Sequence, residues 1–141
     1  MRLPRPFQGL AMTHKENMKT FRWLITISYA GFIFYLSSRT WGGMSSFPFA
    51  DKGLHAVLYF GFGGILFWAL RMTKLRANPY IAYVALVLAV IYGLSDEIHQ
   101  LFVPGREFSL FDLLADAAGA AIGVFVAARL ATSIRKQGVL I

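Results

Sequence analysis

The residues of this chain that can do chemistry gather where it leaves its long apolar runs. Six of the seven carboxylates sit at such edges. The densest stretch is Ser95-Asp96-Glu97-Ile98-His99-Gln100, which follows an apolar run, and Asp112 and Asp116 open the next one. Ionisable groups at membrane depth are costly, so they pair, take up water or serve a function. Glu97, with His55 or His99, has the atoms for general acid and base work, and Asp112 belongs to the same catalytic set. Lys52 and Arg106 would hold a phosphate or carboxylate, arginine doing so through two parallel bonds. Tyr59, Gln100, Ser109 and Asp116 complete a candidate binding set. Each also has a plainer reading. His55 and Tyr59 suit a packed core, and His99 suits an interface. Ser109 suits a helix cap, with Asp112 three residues on. Asp116 suits an ion pair with Arg106, Lys52 or His55. Glu107 reads as solvated.

Metal chemistry has partial support. His55, Glu97, His99, Asp112 and Asp116 offer nitrogen and oxygen ligands for zinc or another divalent ion. No HExxH-like pair occurs, however, and the sequence assigns no resident metal or other cofactor. The chain has no cysteine, which excludes disulfides and thiolate metal sites.

The elements that must position these residues are apolar runs at 23–37, 54–70, 79–94 (with room to continue to 102) and 111–128. Each approaches the length a helix needs to cross a bilayer core. Lipid offers the backbone no partners, and no strand-like alternation is visible, so the expectation is an all-α integral membrane bundle of four transmembrane helices. Composition agrees. Of the 141 residues, 57% are hydrophobic and 15% charged, against about 25% charged in a typical soluble domain. Mean hydropathy is +0.55.

Charge sets the orientation. Eleven of the fourteen basic residues precede the first run, fill the second connection or follow the last run. The positive-inside rule then places both termini in the cytoplasm and every acid except Glu16 on the opposite side. The net charge of +7 is thereby explained by topology, and the absence of aromatic–basic interleaving argues against nucleic acid. The expected organisation is a basic cytoplasmic segment at 1–22, a four-helix membrane domain at 23–130 and a short cytoplasmic tail at 131–141. No small-residue cleavage site follows Ser37-Ser38-Arg39, so the first run reads as an uncleaved anchor. The stretch from 40 to 51 reads as a loop or interfacial re-entrant segment, with Trp41, Phe47 and Phe49 at headgroup level.

In this topology three helix ends present polar groups to one outer-leaflet cavity. Asp51, His55 and Tyr59 share a helical face, as do Asp96, His99 and Gln100, and Ser109, Asp112 and Asp116. Glu97 and Gln100 form the pair with the fewest structural excuses. Pro104-Gly105-Arg106 turns the chain between the last two runs. Gly119 and Gly123 make a GxxxG spacing, suited to packing within the chain or to a homodimer, and Gly61, Gly63 and Gly64 are expected to break the second run.

These motifs in combination, Asp51-Lys52-x-x-His55-x-x-x-Tyr59, Asp96-Glu97-x-His99-Gln100 and Pro104-Gly105-Arg106-x-x-Ser109-x-x-Asp112-x-x-Asp116-x-x-Gly119-x-x-x-Gly123, resemble the VanZ-like family of bacterial membrane proteins. The resemblance covers about 37–126. That family usually carries Asn at the position of Asp116. The resemblance implies a multi-pass protein of the bacterial cytoplasmic membrane, and its founding members are linked to low-level teicoplanin resistance. It implies a compartment and a phenotype rather than a reaction. Three functions follow from the sequence. The first is an outer-leaflet site that binds or modifies a membrane lipid headgroup or lipid-linked cell-wall precursor. The second is a non-enzymatic module whose polar network is structural and which acts through an envelope partner. The third, ion or proton transport, is disfavoured because no acid lies on the inner half of any run.

Overall fold

The computed structural model describes residues 5–40 and 50–136. The chain forms α1 (Arg5–Ser37), α2 (Ala50–Leu70), a 3-10 turn (Lys74–Ala77), α3 (Ile81–Gln100) and α4 (Leu110–Lys136). The expected re-entrant segment, with Trp41, Phe47 and Phe49, lies mostly outside the described residues.

Local chemistry accounts for the helix boundaries. Thr73 caps the 3-10 turn by accepting from the Leu75 N–H, and Asn78 Oδ1 accepts from the Tyr80 N–H just before α3 begins. Pro79 keeps that helix from starting earlier. At the other end of α3, the Arg106 N–H donates to the Val103 carbonyl, and Gly105 has φ +79°. Pro104 and Gly105 thus occupy the two central positions of a type II turn, which needs positive φ at the second. Ser109 then caps α4, its Oγ accepting from the Asp112 N–H at 3.2 Å.

Three helices, Ala50–Leu70, Ile81–Gln100 and Leu110–Ile134, are long and apolar enough to cross a membrane. The expected fourth span within α1 is not among them. Its apolar part, 23–37, would rise only about 22 Å at 1.5 Å per residue, short of a ~30 Å hydrocarbon core. α1 nevertheless runs beside the others. Arg22 donates to the Trp68 carbonyl and lies over the Trp68 ring, while Tyr29 donates to the Leu58 carbonyl. Tyr92 donates to the Ala30 carbonyl, and Thr40 donates to that of Pro104. The C-terminal end of α1 therefore lies at the same end of the bundle as the start of α2, the end of α3 and the start of α4.

α2 is the most enclosed helix, contributing Tyr59, Phe62, Leu66, Phe67 and Leu70 to the core. It is continuous from Ala50 to Leu70, so its glycines do not break it. They are contact points instead. A methyl group on Gly63 would lie 2.6 Å from the Ala120 carbonyl oxygen, and one on Gly61 would overlap the Tyr29 hydroxyl. The GxxxG pair of α4 works the same way, with Gly119 against the Ala56 carbonyl and Gly123 against that of Phe60. The stripe is thus spent within the chain, bringing the α2 and α4 backbones together. Leu88, Ile91, Leu94, Ile98, Leu114, Ile122 and Phe125 lie exposed on the outside of α3 and α4, an apolar surface suited to lipid.

Candidate functional site

α3 carries one buried stripe at three- and four-residue spacing: Ala85, Ala89, Gly93, then Asp96, Glu97 and Gln100. Small residues let the neighbouring helices close in along its first half. The same stripe turns polar at the end where α2 and α4 begin. The buried residues of those helices there are also polar or aromatic: His55 and Tyr59 on α2, Asp112 and Asp116 on α4. Glu97, Asp116 and Tyr59 have no solvent exposure, and His55 has 6%.

His55 Nδ1 lies 2.9 Å from Asp116 Oδ1 and 3.9 Å from Glu97 Oε1. The other oxygen of Glu97, Oε2, accepts from the Ser109 backbone N–H at 2.8 Å. In a capping box the residue three positions after the cap reaches back to that N–H. Here Asp112 turns instead to Lys52, with Oδ1 3.0 Å from Nζ, and Glu97 from the neighbouring helix takes its place. Arg106 lies 3.7 Å from Asp51 at the more exposed edge. Gly93 gives Asp116 its room, since a methyl group there would sit 3.1 Å from Oδ2 and 3.3 Å from the Tyr59 ring.

A cavity of about 20 Å3, room for one or two waters, opens beside this cluster. Its polar lining is Ser37, Asp51, His55, Tyr59, Asp96, Gln100 and Arg106. Among the described residues, several of these carry buried atoms with no close hydrogen-bond partner: Ser37 Oγ, Tyr59 OH, Asp96 Oδ1, Gln100 Nε2 and Arg106 Nε, of which Ser37 and Gln100 lie toward Asp96. Glu97 Oε1 and Asp116 Oδ2 are in the same condition. Buried polar groups are normally paired, so such a concentration calls for an explanation. Two groups of three side chains also have the spacing to hold a metal ion, Asp51–His55–Asp112 and His55–Glu97–Asp116.

A family model described as VanZ/LLP1 matches residues 3–131. The chain belongs to the VanZ-like family. With its three membrane-length helices, it is a multi-pass membrane protein. This VanZ-like protein is also similar to uncharacterized protein C11E3.10 of Schizosaccharomyces pombe, at 29% identity over 79 residues. That match takes in 56% of this chain and 47% of the yeast protein, so the chain spans about half the length of that relative. No solved structure matches it.

The VanZ-like fold brings most of the residues singled out by sequence to one end of the bundle, but not in the expected pairs. Glu97 and Gln100 are both buried, yet Glu97 is tied to Ser109. His99 faces α1, with Nε2 3.0 Å from Ser38 Oγ and its ring stacked on Phe34 at 4.3 Å. Asp116, for which sequence left Arg106, Lys52 and His55 open as partners, meets His55. Asp51 and Asp96 line the cavity, as their helical faces led one to expect, although neither was assigned a catalytic or binding role, and Ser37 joins them. Asp96 was legible as the residue one turn before Gln100. Ser37 was not, because its packing against α2 and α3 depends on how α1 docks.

Proposed function

We propose that this VanZ-like protein binds and acts on an anionic envelope lipid at its polar helix ends. The ligand is a phosphate-bearing headgroup, carried by a phospholipid or by a lipid-linked wall precursor. The reading rests on the unpartnered atoms around one cavity. Among the described residues, Tyr59 OH and Arg106 Nε offer O–H and N–H donors there that no other group takes, and Ser37 and Gln100 add donors that lie toward Asp96. Phosphate oxygens are acceptors of the matching kind, and arginine suits them in particular. Arg106 is only loosely held by Asp51 at 3.7 Å and can exchange that carboxylate for a phosphate. His55, flanked by Asp116 and Glu97, supplies acid–base groups beside the bound headgroup. The cavity itself admits only water, so the headgroup sits at its Asp51–Arg106 edge and the acyl chains stay in lipid.

In the same proposal α1 is a fourth, short span, because it packs between the levels of Trp68 and His99. Both termini are cytoplasmic, the membrane is the bacterial inner membrane and the site faces the outer leaflet. The expected phenotype is teicoplanin tolerance. Glu97→Gln and Arg106→Ala, expressed in a sensitive bacterium, should each abolish tolerance without changing the amount of protein in the membrane. Full tolerance in both variants would sink the site.

A second reading, a structural network in a non-enzymatic module that acts through an envelope partner, is favoured by two contacts. Glu97 to Ser109 and Lys52 to Asp112 tie α3 and α2 to the start of α4. Thermal unfolding in detergent separates the two. Arg106→Ala that loses tolerance at unchanged Tm supports the headgroup site, and a large fall in its Tm supports the network.

A further inference from the structure

We propose that His55 Nδ1, Glu97 Oε1 and a carboxylate oxygen of Asp116 bind a divalent transition-metal ion, zinc being the closest match. The three donor atoms lie within 4.8 Å of one another, and all three residues are buried. Donors about 2.1 Å from a tetrahedral ion lie about 3.4 Å apart. The His55–Asp116 and His55–Glu97 separations of 2.9 and 3.9 Å bracket that spacing. One imidazole and two carboxylates suit zinc, with manganese or iron as the next fits.

Two further observations point to a cation rather than to a self-sufficient cluster. Glu97 Oε1 and Asp116 Oδ2 are fully buried acceptors with no donor among the described residues. Among the described residues, Asp96, Glu97 and Asp116 also have no lysine or arginine ion partner, because Lys52 is taken by Asp112 and Arg106 by Asp51. A divalent ion with neutral His55 and two carboxylates makes a set of zero net charge, which removes the main cost of placing those acids at membrane depth.

The ligands are held as a metal site requires. The Ser109 N–H fixes Oε2 of Glu97, leaving Oε1 on the His55 side, and such second contacts orient ligating carboxylates. Gly93 keeps a side chain off Asp116 Oδ2. The outer trio, Asp51, His55 and Asp112, is a weaker candidate because both of its acids already have cations. Three protein ligands leave one position open, the arrangement of zinc sites that take water or substrate. The cavity admits water, so this position holds water; that the water faces a bound headgroup, the ion then replacing free His55 and Glu97 as the acid–base centre, rests on the functional reading above. The metal site rests on the coordination geometry alone.

Full-length protein purified in detergent without a metal-binding tag should carry about one transition-metal ion per chain by elemental analysis. Stripping it with a chelator should lower Tm, and added Zn2+ should restore it. Glu97→Gln keeps an acceptor for the Ser109 N–H, yet it and Asp116→Asn should each weaken Zn2+ binding by more than about 100-fold. Lys52→Met and Asp112→Asn should retain the ion. Should the ligand variants fail to fold, wild-type protein decides: added Co2+ should give visible absorption bands that Zn2+ abolishes. Metal-free wild type with no response to Zn2+, Mn2+ or Co2+ would overturn the proposal. So would an ion lost in Asp112→Asn but kept in Glu97→Gln and Asp116→Asn. A bound ion together with unaffected tolerance in Arg106→Ala would refute the headgroup reading and leave the metal site standing.

Discussion

The two oxygens of Glu97 have different neighbours, and that difference organises the site. Oε2 supplies the missing half of a capping box at Ser109, while Oε1 lies toward His55 with no donor among the described residues. Ser109→Ala removes only the hydroxyl that caps the Asp112 N–H, so it should lower stability by about 1 kcal/mol, read as a modest fall in Tm. Lys52→Met should cost more. Asp112 is only 6% exposed at its side chain and would lose the ammonium that Nζ supplies at 3.0 Å. Leaving a buried acceptor unpaired costs about 1–3 kcal/mol, and the partial exposure of Lys52 keeps the loss below that of a fully buried pair. Denaturation of detergent-solubilised variants checks both values. The sequence offered these residue types and their shared faces through three- and four-residue spacing. It could not choose the partner of Asp116 among Arg106, Lys52 and His55, because that choice depends on the rotation of α2 against α4.

At the scale of elements, the glycines were legible as close-contact residues but not in their particular roles. Gly61, Gly63 and Gly64 suggested a break in α2, yet the helix is continuous because α1 and α4 fill the spaces that side chains would occupy. Substitution should therefore divide the glycines sharply. Gly119→Ala and Gly123→Ala put a methyl group into the α2 backbone, so each should destabilise by about 1–3 kcal/mol. Gly31→Ala, with nothing within 4 Å, should leave Tm unchanged or raise it slightly. Equal effects at all three positions would contradict the α2–α4 contact described above. The boundaries of α3 and α4 were readable from Pro79, Pro104-Gly105 and Ser109, whose turn and cap chemistry is local. The N-terminal extent of α1, back to Arg5, was not legible, because that segment is polar and has no apolar run to mark it.

For the whole molecule, orientation is the consequence most open to test. The chain has no cysteine, so single cysteines can report exposure without interference. Glu107→Cys, on the exposed turn beside the site, should react with a membrane-impermeant maleimide in intact cells. Lys74→Cys and Glu16→Cys, both exposed, should react only after permeabilisation. Labelling of Glu16→Cys from outside would place α1 on the wrong side for a fourth span. The sequence by itself determined that this is a helical membrane protein of the VanZ-like family with six of its seven acids at one end. Those properties are sums over local features: run length, charge placement and motif spacing. Only the tertiary structure decided which acid faces which base, that His99 turns to α1, and that Ser37 lines the cavity. These follow from helix rotation and depth, which are set by packing at Gly63, Gly119 and Gly123 between residues far apart in the chain.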